Sequence, residues 1–222
     1  MPFDPKVMAG LPLLADGLLN TVELCLGAVA MSLVFGHVGL FMSVSRWVPL
    51  RLIAKTYVSL MRGTPALVQL FVLYYSLPLI GLGGRPLLAA IAAIGLNSGG
   101  YMTEILRAHL GVVSAGQREA AVALGLPPRR TWARIIAPQV WRAALPAMVN
   151  EFTILLKTTP LASVVAVTDL TFAGQMAIAR TFRPTEVLCI VSLGYLAMAL
   201  PIIALARRLE HKLGVHAAPM RA

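Results

Sequence analysis

The sequence is dominated by long apolar stretches that are separated by short basic segments. In the first of these stretches, residues 17–44, the only charged, amide or imidazole side chains are those of Asn20, Glu23 and His37. About 20 consecutive apolar residues are enough for a helix to cross a bilayer. Hydrophobic residues make up 58% of the 222 residues, more than a soluble domain of this size is expected to bury. The sequence therefore predicts an all-α membrane protein.

Five apolar segments each predict one membrane-spanning helix. The second is interrupted at Arg62-Gly63-Thr64-Pro65, which predicts a break with Thr64 as the N-cap and Pro65 as the first residue of a new helix. Residues 1–16 are expected at the membrane surface, and residues 81–86 form a glycine-rich turn. A polar connection with a short helix is expected over residues 169–186. The predicted spans are 17–44, 57–80, 87–106, 145–167 and 187–206.

The 19 Lys and Arg residues are distributed unevenly between the two sides of these spans. Thirteen lie on the side of the C-terminus and four on the other, while Arg62 and Lys157 fall within spans. Because cytoplasmic loops are enriched in Lys and Arg, we predict an external N-terminus and a cytoplasmic C-terminus. Membrane orientation thus explains the net charge of +10 better than nucleic-acid binding does. The thirteen are Arg46, Arg51, Lys55, Arg107, Arg118, Arg129, Arg130, Arg134, Arg142, Arg207, Arg208, Lys212 and Arg221.

The longest basic interval is EAAVALGLPPRRTWARIIAP, residues 119–138. It predicts a short helix over residues 118–124 that ends where Gly125 adopts the left-handed conformation. Pro127 and Pro128 then favour the start of a second helix. The alanines keep the first helix slim, so it could lie deep in a groove of another protein. The composition alone also fits a solvated helical hairpin.

The order of residues in this interval resembles the EAA loop of ABC importer permeases. The matching residues are Glu119, Ala120, Ala121, Gly125, Ile135 and Pro138. Ala137 stands where the family prefers leucine, a mild departure that keeps an apolar residue. The resemblance implies that a cytoplasmic loop at about residues 110–142 contains a coupling helix, and that the six matching residues couple the chain to an ATPase.

Three further segments narrow the resemblance to type I, binding-protein-dependent ABC importers of the histidine, glutamine, arginine and opine branch. They are RGTPALVQ at residues 62–69, YMTEILR at residues 101–107 and PAMVNEFTILLK at residues 146–157. The resemblance implies a five-span permease, one domain over residues 1–222, in the lipid of the cell inner membrane. It also implies a second permease subunit, an extracytoplasmic amino-acid-binding protein and an ABC ATPase dimer that binds ATP-Mg. No cofactor or metal is expected in this chain, and no nucleic acid.

Polar residues in the fourth span are candidates for a substrate path. On a helix, Glu151 and Thr158 share a face. A neighbouring stripe contains Asn150, Thr153 and Lys157. Charged residues inside a span usually face a cavity or a partner. Asn150 and Glu151 could therefore line the path and bind the amino group of the substrate. They could equally form a structural polar cluster that joins helices, and the sequence leaves both interpretations open.

Arg62, Thr64 and Gln69 lie at the predicted break of the second span and are the other substrate-path candidates. Broken helices mark binding sites in many transporters. Arg62 beside a helix N-terminus could attract a carboxylate, or it could extend to phosphate headgroups at the membrane surface.

One departure from the family pattern follows Lys157, where the family usually has Asp-Thr-Ser. This chain has Thr158, Thr159 and Pro160. The missing acid removes a possible partner for Lys157, and Pro160 predicts a kink. The departure puts details of the substrate path in doubt.

The sequence carries no motif for ATP hydrolysis and no zinc or serine-hydrolase signature. It therefore predicts a permease subunit that is not itself an enzyme. The alternative is an ion-coupled secondary transporter of small polar solutes, in which Glu23, Glu104 and Glu151 would be the coupling acids. The spacing of the basic loop favours the permease.

Overall fold

The computed structural model describes residues 5–213, and within that range every regular element is helical. Met1–Asp4 and the basic residue Arg221 lie outside the described part. Short 3₁₀ segments follow the fourth, fifth and eighth α-helices, and a π-helical segment, Trp132–Ile136, precedes the eighth. The α-helices are α1 (Pro5–Ala9), α2 (Leu11–Ser43), α3 (Val48–Gly63), α4 (Ala66–Ser76), α5 (Pro86–Ala108), α6 (Ala115–Ala123), α7 (Pro128–Thr131), α8 (Ala137–Thr158), α9 (Leu170–Thr181) and α10 (Pro184–Leu213).

Helices α2 and α5 form the centre of the bundle. Glycine allows their backbones to come close, since a Cβ atom on Gly95 would lie 2.7 Å from Met31 Cβ and 3.1 Å from the carbonyl oxygen of Ala28. Small residues at such seams are typical of helix association in membranes. Helix α2 starts at Leu11, six residues before the predicted start of the first span, so most of the expected surface segment is helical.

Helix α3 also packs against α5 through glycine residues. A Cβ atom on Gly100 would lie 2.7 Å from Met61 Cβ, and one on Gly99 would lie 2.6 Å from Tyr57 Oη. The Tyr57 hydroxyl also donates a hydrogen bond of 2.7 Å to the carbonyl oxygen of Leu96. Two adjacent glycines of α5 therefore bring α3 close to the central pair.

The second span is broken as predicted, with a bend of 110° between α3 and α4. The expected cap is wrong, because Pro65 is the N-cap residue of α4 and Thr64 makes no side-chain cap bond there. The first basic loop is also shorter than expected. Arg51 and Lys55 lie on α3, which already begins at Val48.

The helix that contains the predicted fourth span begins earlier than residue 145. The chain is helical from Pro128 to Thr158, with the π-helical segment inside that stretch. The α-helix ends two residues before Pro160 and continues as the 3₁₀ segment Thr159–Val165. The kink predicted at Pro160 itself stays a prediction. The axis then bends by 53° before α9.

The connection expected over residues 169–186 contains the predicted helix, but that helix is not simply polar. Leu170 and Ala173 of α9 are buried in a cluster with α1, α2 and α10. The carboxylate of Asp169 caps α9 by accepting a 2.9 Å hydrogen bond from the backbone N–H of Phe172. Its other oxygen accepts one of 3.1 Å from the hydroxyl of Tyr195 in α10. Helix α9 is therefore part of the packed bundle.

By length and hydropathy, α2 and α10 are each able to cross a membrane, and counting each bent pair as one span raises the number to four. Helix α5 is not among them, although its 23 residues would extend about 34 Å at 1.5 Å per residue. Its polar residues include Asn97, Ser98 and Glu104, and Ser98 is buried against other helices. A central helix can carry such side chains because neighbouring helices cover them. The count of five spans stays a prediction.

Candidate coupling surface and polar sites

Helix α6 is an exposed nine-residue helix between α5 and α7. It begins at Ala115, three residues before its predicted start, because the hydroxyl of Ser114 accepts a hydrogen bond of 3.4 Å from the backbone N–H of Gln117. Arg118 donates a 3.0 Å hydrogen bond back to the carbonyl oxygen of Leu110. The helix is thus fixed at its start while Glu119 points away from the bundle and is exposed.

Gly125 ends α6 as the sequence predicts, with φ of +66°. The backbone N–H of Gly125 donates to the carbonyl oxygen of Val122 at 2.9 Å, and that of Leu126 donates to Ala121 at 3.0 Å. This pair of bonds is the Schellman motif, which requires the left-handed conformation at the glycine. Pro127 and Pro128 follow, and α7 starts at Pro128 as expected.

Two large apolar side chains on this surface were not singled out from the sequence. Val122 and Leu124 are 75% and 77% exposed, respectively. By contrast Ala121 is buried, so α6 is anchored at Ala121 while Val122, and Leu124 at the end of the helix, are left uncovered. An exposed apolar patch with a polar surround is a signature of a docking surface. The available signal was the alternation of small and large apolar residues in AAVAL.

The motif residues divide between two elements. Glu119, Ala120 and Gly125 are exposed on α6 and its end, whereas Ile135 is half-buried and Pro138 exposed where the π-helical segment joins α8. Pro138 has no N–H, so the usual helical bond to residue 134 is missing and the helix widens before it. The wide turn is closed by a bond from the N–H of Ala137 to the carbonyl oxygen of Trp132.

The break between α3 and α4 is held by side-chain amides. Gln69 Nε2 donates to Thr64 Oγ1 at 2.8 Å and to the carbonyl oxygen of Met61 at 3.1 Å. Asn97 Nδ2 of α5 donates to the same carbonyl at 2.8 Å and to Gln69 Oε1 at 3.2 Å. Thr64 itself donates to the carbonyl oxygen of Leu60 at 2.7 Å. Thr64 and Gln69 therefore satisfy backbone groups at the end of α3, as a break inside a membrane requires.

Arg62 contacts the YMTEILR segment. Its Nη1 lies 3.6 Å from Glu104 Oε2, and its guanidinium lies 5.4 Å from the ring centroid of Tyr101. Glu104 also binds Arg107 through two hydrogen bonds of 2.9 and 2.7 Å. Both sequence interpretations of Arg62 missed this partner, which lies 42 residues away in the chain.

Glu151 and Asn150 differ in exposure. Glu151 is 5% exposed, and its Oε1 accepts a 2.8 Å hydrogen bond from Ser98, whose hydroxyl accepts one of 3.0 Å from Ser32. Asn150 is exposed, because consecutive residues on a helix point in directions about 100° apart. The buried serine–serine–glutamate chain joins α2, α5 and α8. The arrangement favours the structural interpretation of Glu151, and a substrate-path role of Asn150 and Glu151 stays a prediction.

Two further polar residues of the fourth span, Thr158 and Lys157, lie at the end of α8. Thr158 is half-buried, and its hydroxyl donates to the carbonyl oxygen of Ile154 at 3.0 Å, while Lys157 is exposed. Glu151 and Thr158 therefore differ in burial, although they are two turns apart and share a face of the helix. Among residues 5–213, no group of three or more His, Cys, Asp and Glu side chains is arranged to bind a metal ion.

Comparison with known proteins gives a consistent result. A family model described as "Binding-protein-dependent transport system inner membrane component" matches residues 36–215. The arginine transport system permease protein ArtQ of Bacillus subtilis is 33% identical over 204 residues, 91% of this chain and 93% of the relative. The glutamine transport system permease protein GlnP of Escherichia coli K12 is 34% identical over 219 residues, 97% of this chain and 100% of the relative.

Solved structures agree with these relatives. The crystal structure of an amino acid ABC transporter with histidines has a chain that is 33% identical, with a TM-score of 0.85 over 96% of this chain and 100% of that one. An inward-facing structure of the MetNI methionine ABC transporter has a TM-score of 0.73 at 20% identity, over 95% of this chain and 99% of that one. The second likeness concerns the fold alone.

Proposed function

The chain belongs to the binding-protein-dependent transport system inner membrane components, and from this premise we propose how it is coupled, oriented and assembled. It is a permease subunit of an ABC importer for amino acids, in a family whose ATPase is a separate subunit. This membership decides against the ion-coupled secondary transporter. Relatives named for arginine, glutamine and L-cystine transport support a polar amino acid as the substrate.

We propose that α6 is the coupling helix and docks in a groove of the ATPase. The observation that carries this proposal is the exposure of two large apolar side chains, Val122 on α6 and Leu124 at its end, together with the exposed Glu119. A short helix with small residues and exposed apolar side chains suits a helix-in-groove contact. ATP binding would close the ATPase dimer and move α6, which biases the permease between outward and inward openings.

The proposed orientation follows from the basic residues. An external N-terminus and a cytoplasmic C-terminus put α6 in the cytoplasm, where the ATPase can reach it. Five spans satisfy this arrangement when α5 counts as a span beside α2, α10 and the two bent pairs. The remaining proposed partners are a second permease subunit, either a copy or a related chain, and an extracytoplasmic amino-acid-binding protein.

Co-purification tests the coupling proposal. The chain is expressed with the ATPase of an arginine or glutamine importer, purified in detergent, and compared with Glu119→Lys and Gly125→Asp. We expect both variants to insert into the membrane but to lose most of the bound ATPase. Glu210→Lys is the control for charge, and Gly111→Asp is the control for glycine, because nothing lies within 4 Å of a Cβ atom there and no positive φ is involved.

Equal ATPase recovery with wild type and both loop variants would show that α6 is not the docking element. Loss of the ATPase from Gly111→Asp as well would point to a general disturbance of the loop. Specific loss from the Glu119 and Gly125 variants supports α6 as the contact.

A further inference from the structure

A basic cavity of about 380 Å³ opens where α3 faces the ends of α2 and α5. Four cations and one carboxylate line it: Arg51, Lys55, Arg62, Arg107 and Glu104. The lining therefore carries a formal excess of three positive charges. Neither the coupling surface nor the amide network at the break uses this cavity.

The single carboxylate does not neutralise the outer part of the cavity. Glu104 is engaged by Arg107 at 2.7 Å and by Arg62 at 3.6 Å. Arg51 donates instead to the carbonyl oxygens of Ser45 and Arg46, at 3.1 and 3.2 Å. Within residues 5–213, no carboxylate lies within ion-pair distance of Arg51 or Lys55. Two cations one helical turn apart on α3 are therefore available to an anion.

An exposed apolar surface borders these two cations on the same helix. Val48 and Leu52, which lie next to the two cations on the helix surface, are each 62% exposed. A free inorganic anion would use only the cations. A molecule with an anionic head and apolar tails would use both the cavity and the surface beside it. The apolar surface next to the cations therefore favours an anionic lipid over a free inorganic anion.

We propose that the cavity binds the phosphate headgroup of an anionic phospholipid, with Arg51 and Lys55 as its contacts and acyl chains along Val48 and Leu52. Basic pockets between membrane helices bind such headgroups, and each Lys or Arg near an anionic surface strengthens the attraction. Bound there, the lipid joins α3 to the ends of α2 and α5, next to the ion pair between Arg62 and Glu104.

A lipid titration followed by native mass spectrometry tests the proposal. The permease is purified with its ATPase, delipidated in detergent, and titrated with phosphatidylglycerol or phosphatidylcholine. We expect wild type to bind the first phosphatidylglycerol molecule at least about tenfold more tightly than the first phosphatidylcholine molecule. This is a difference of about 1.4 kcal/mol in the free energy of binding. The Arg51→Gln/Lys55→Gln double variant should lose this preference. Arg208→Gln, an exposed cation near the end of α10, should keep it.

The outcomes separate the possible ligands. Equal binding of both lipids by wild type overturns the proposal, as does a preference that the double variant retains. Inorganic phosphate is a further arm: if it binds wild type through Arg51 and Lys55 while phosphatidylglycerol shows no preference, the cavity is a free-anion site. Glutamine or arginine binding with the same dependence would make it a substrate subsite instead. The titration is done in detergent, so its result does not depend on the proposed orientation.

Discussion

Replacing Ser98 with alanine should destabilise the protein through Glu151. The Ser98 hydroxyl is the hydrogen-bond donor to Glu151 Oε1 at 2.8 Å, and Ser98 and Glu151 are only 3% and 5% exposed. Removing one partner of a buried bond leaves the other without its bond, which costs about 1–3 kcal/mol. For a chain of this length that corresponds to a fall of roughly 2–12 °C in the melting temperature. The exposed Ser192→Ala is the matched control.

A double-mutant cycle isolates this effect. In a Glu151→Leu background no carboxylate is left without a donor, so Ser98→Ala should cost much less there than in wild type. The assay is the apparent melting temperature of the detergent-purified complex, read by fluorescence-detected size-exclusion chromatography. The reasoning is refuted if Ser98→Ala lowers the melting temperature equally in both backgrounds.

Transport kinetics then separate the two interpretations of Glu151. If Glu151 joins helices, Glu151→Gln keeps an acceptor for Ser98, and the KM for amino acid uptake in proteoliposomes stays near the wild-type value. If Glu151 binds the substrate amino group, loss of the charge should raise KM about tenfold or more, since a single charge-assisted contact contributes about 1.5–3 kcal/mol. An unchanged melting temperature with a raised KM would favour the substrate role.

Two further predictions concern packing and capping. Gly95→Leu should reduce expression and lower the melting temperature, because the new side chain meets Met31 on α2 and overpacking costs about 1–3 kcal/mol; Gly111→Leu, in open space, should have little effect, and equal effects would contradict the close seam. Asp169→Ala removes the cap of α9 and should destabilise by about 1–2 kcal/mol, measured as a lower melting temperature against the exposed Asp16→Ala; no difference between them would argue against the cap.

Features that depend only on residues close together in the sequence were predictable. The left-handed turn at Gly125, the helix that starts at Pro128 and the break before Pro65 follow from backbone chemistry that a few residues determine. The starts of helices were less predictable. The α-helix that contains the fourth span begins before residue 145, because its first turns are basic and only half-apolar and hydropathy does not mark them.

Side-chain partners depended on which helices are neighbours. Arg62 and Glu104 meet only because glycines of α5 bring α3 close to it. Glu151 is buried because α2 and α5 pack against α8, and its hydrogen-bond donor is a serine of α5. Neither contact can be read from the sequence near each residue. The spacing of residues shows which side chains share a helix face, but not which other helix covers that face. The exposure of Val122 and Leu124 was not predicted, because single apolar residues are common on protein surfaces and do not by themselves indicate a contact.

The continuous helix from Pro128 to Thr158 gives the bundle a mechanical property. At 1.5 Å per residue its 31 residues would form a rod of about 46 Å. The widened turn before Pro138 is its weakest point, since the regular hydrogen-bond ladder is interrupted there. A tilt of about 10° at that turn would move a point about 30 Å along α8 by roughly 5 Å, given the same rise per residue. A small change of direction at this turn, which follows α6 in the chain, would thus be amplified at the far end of α8.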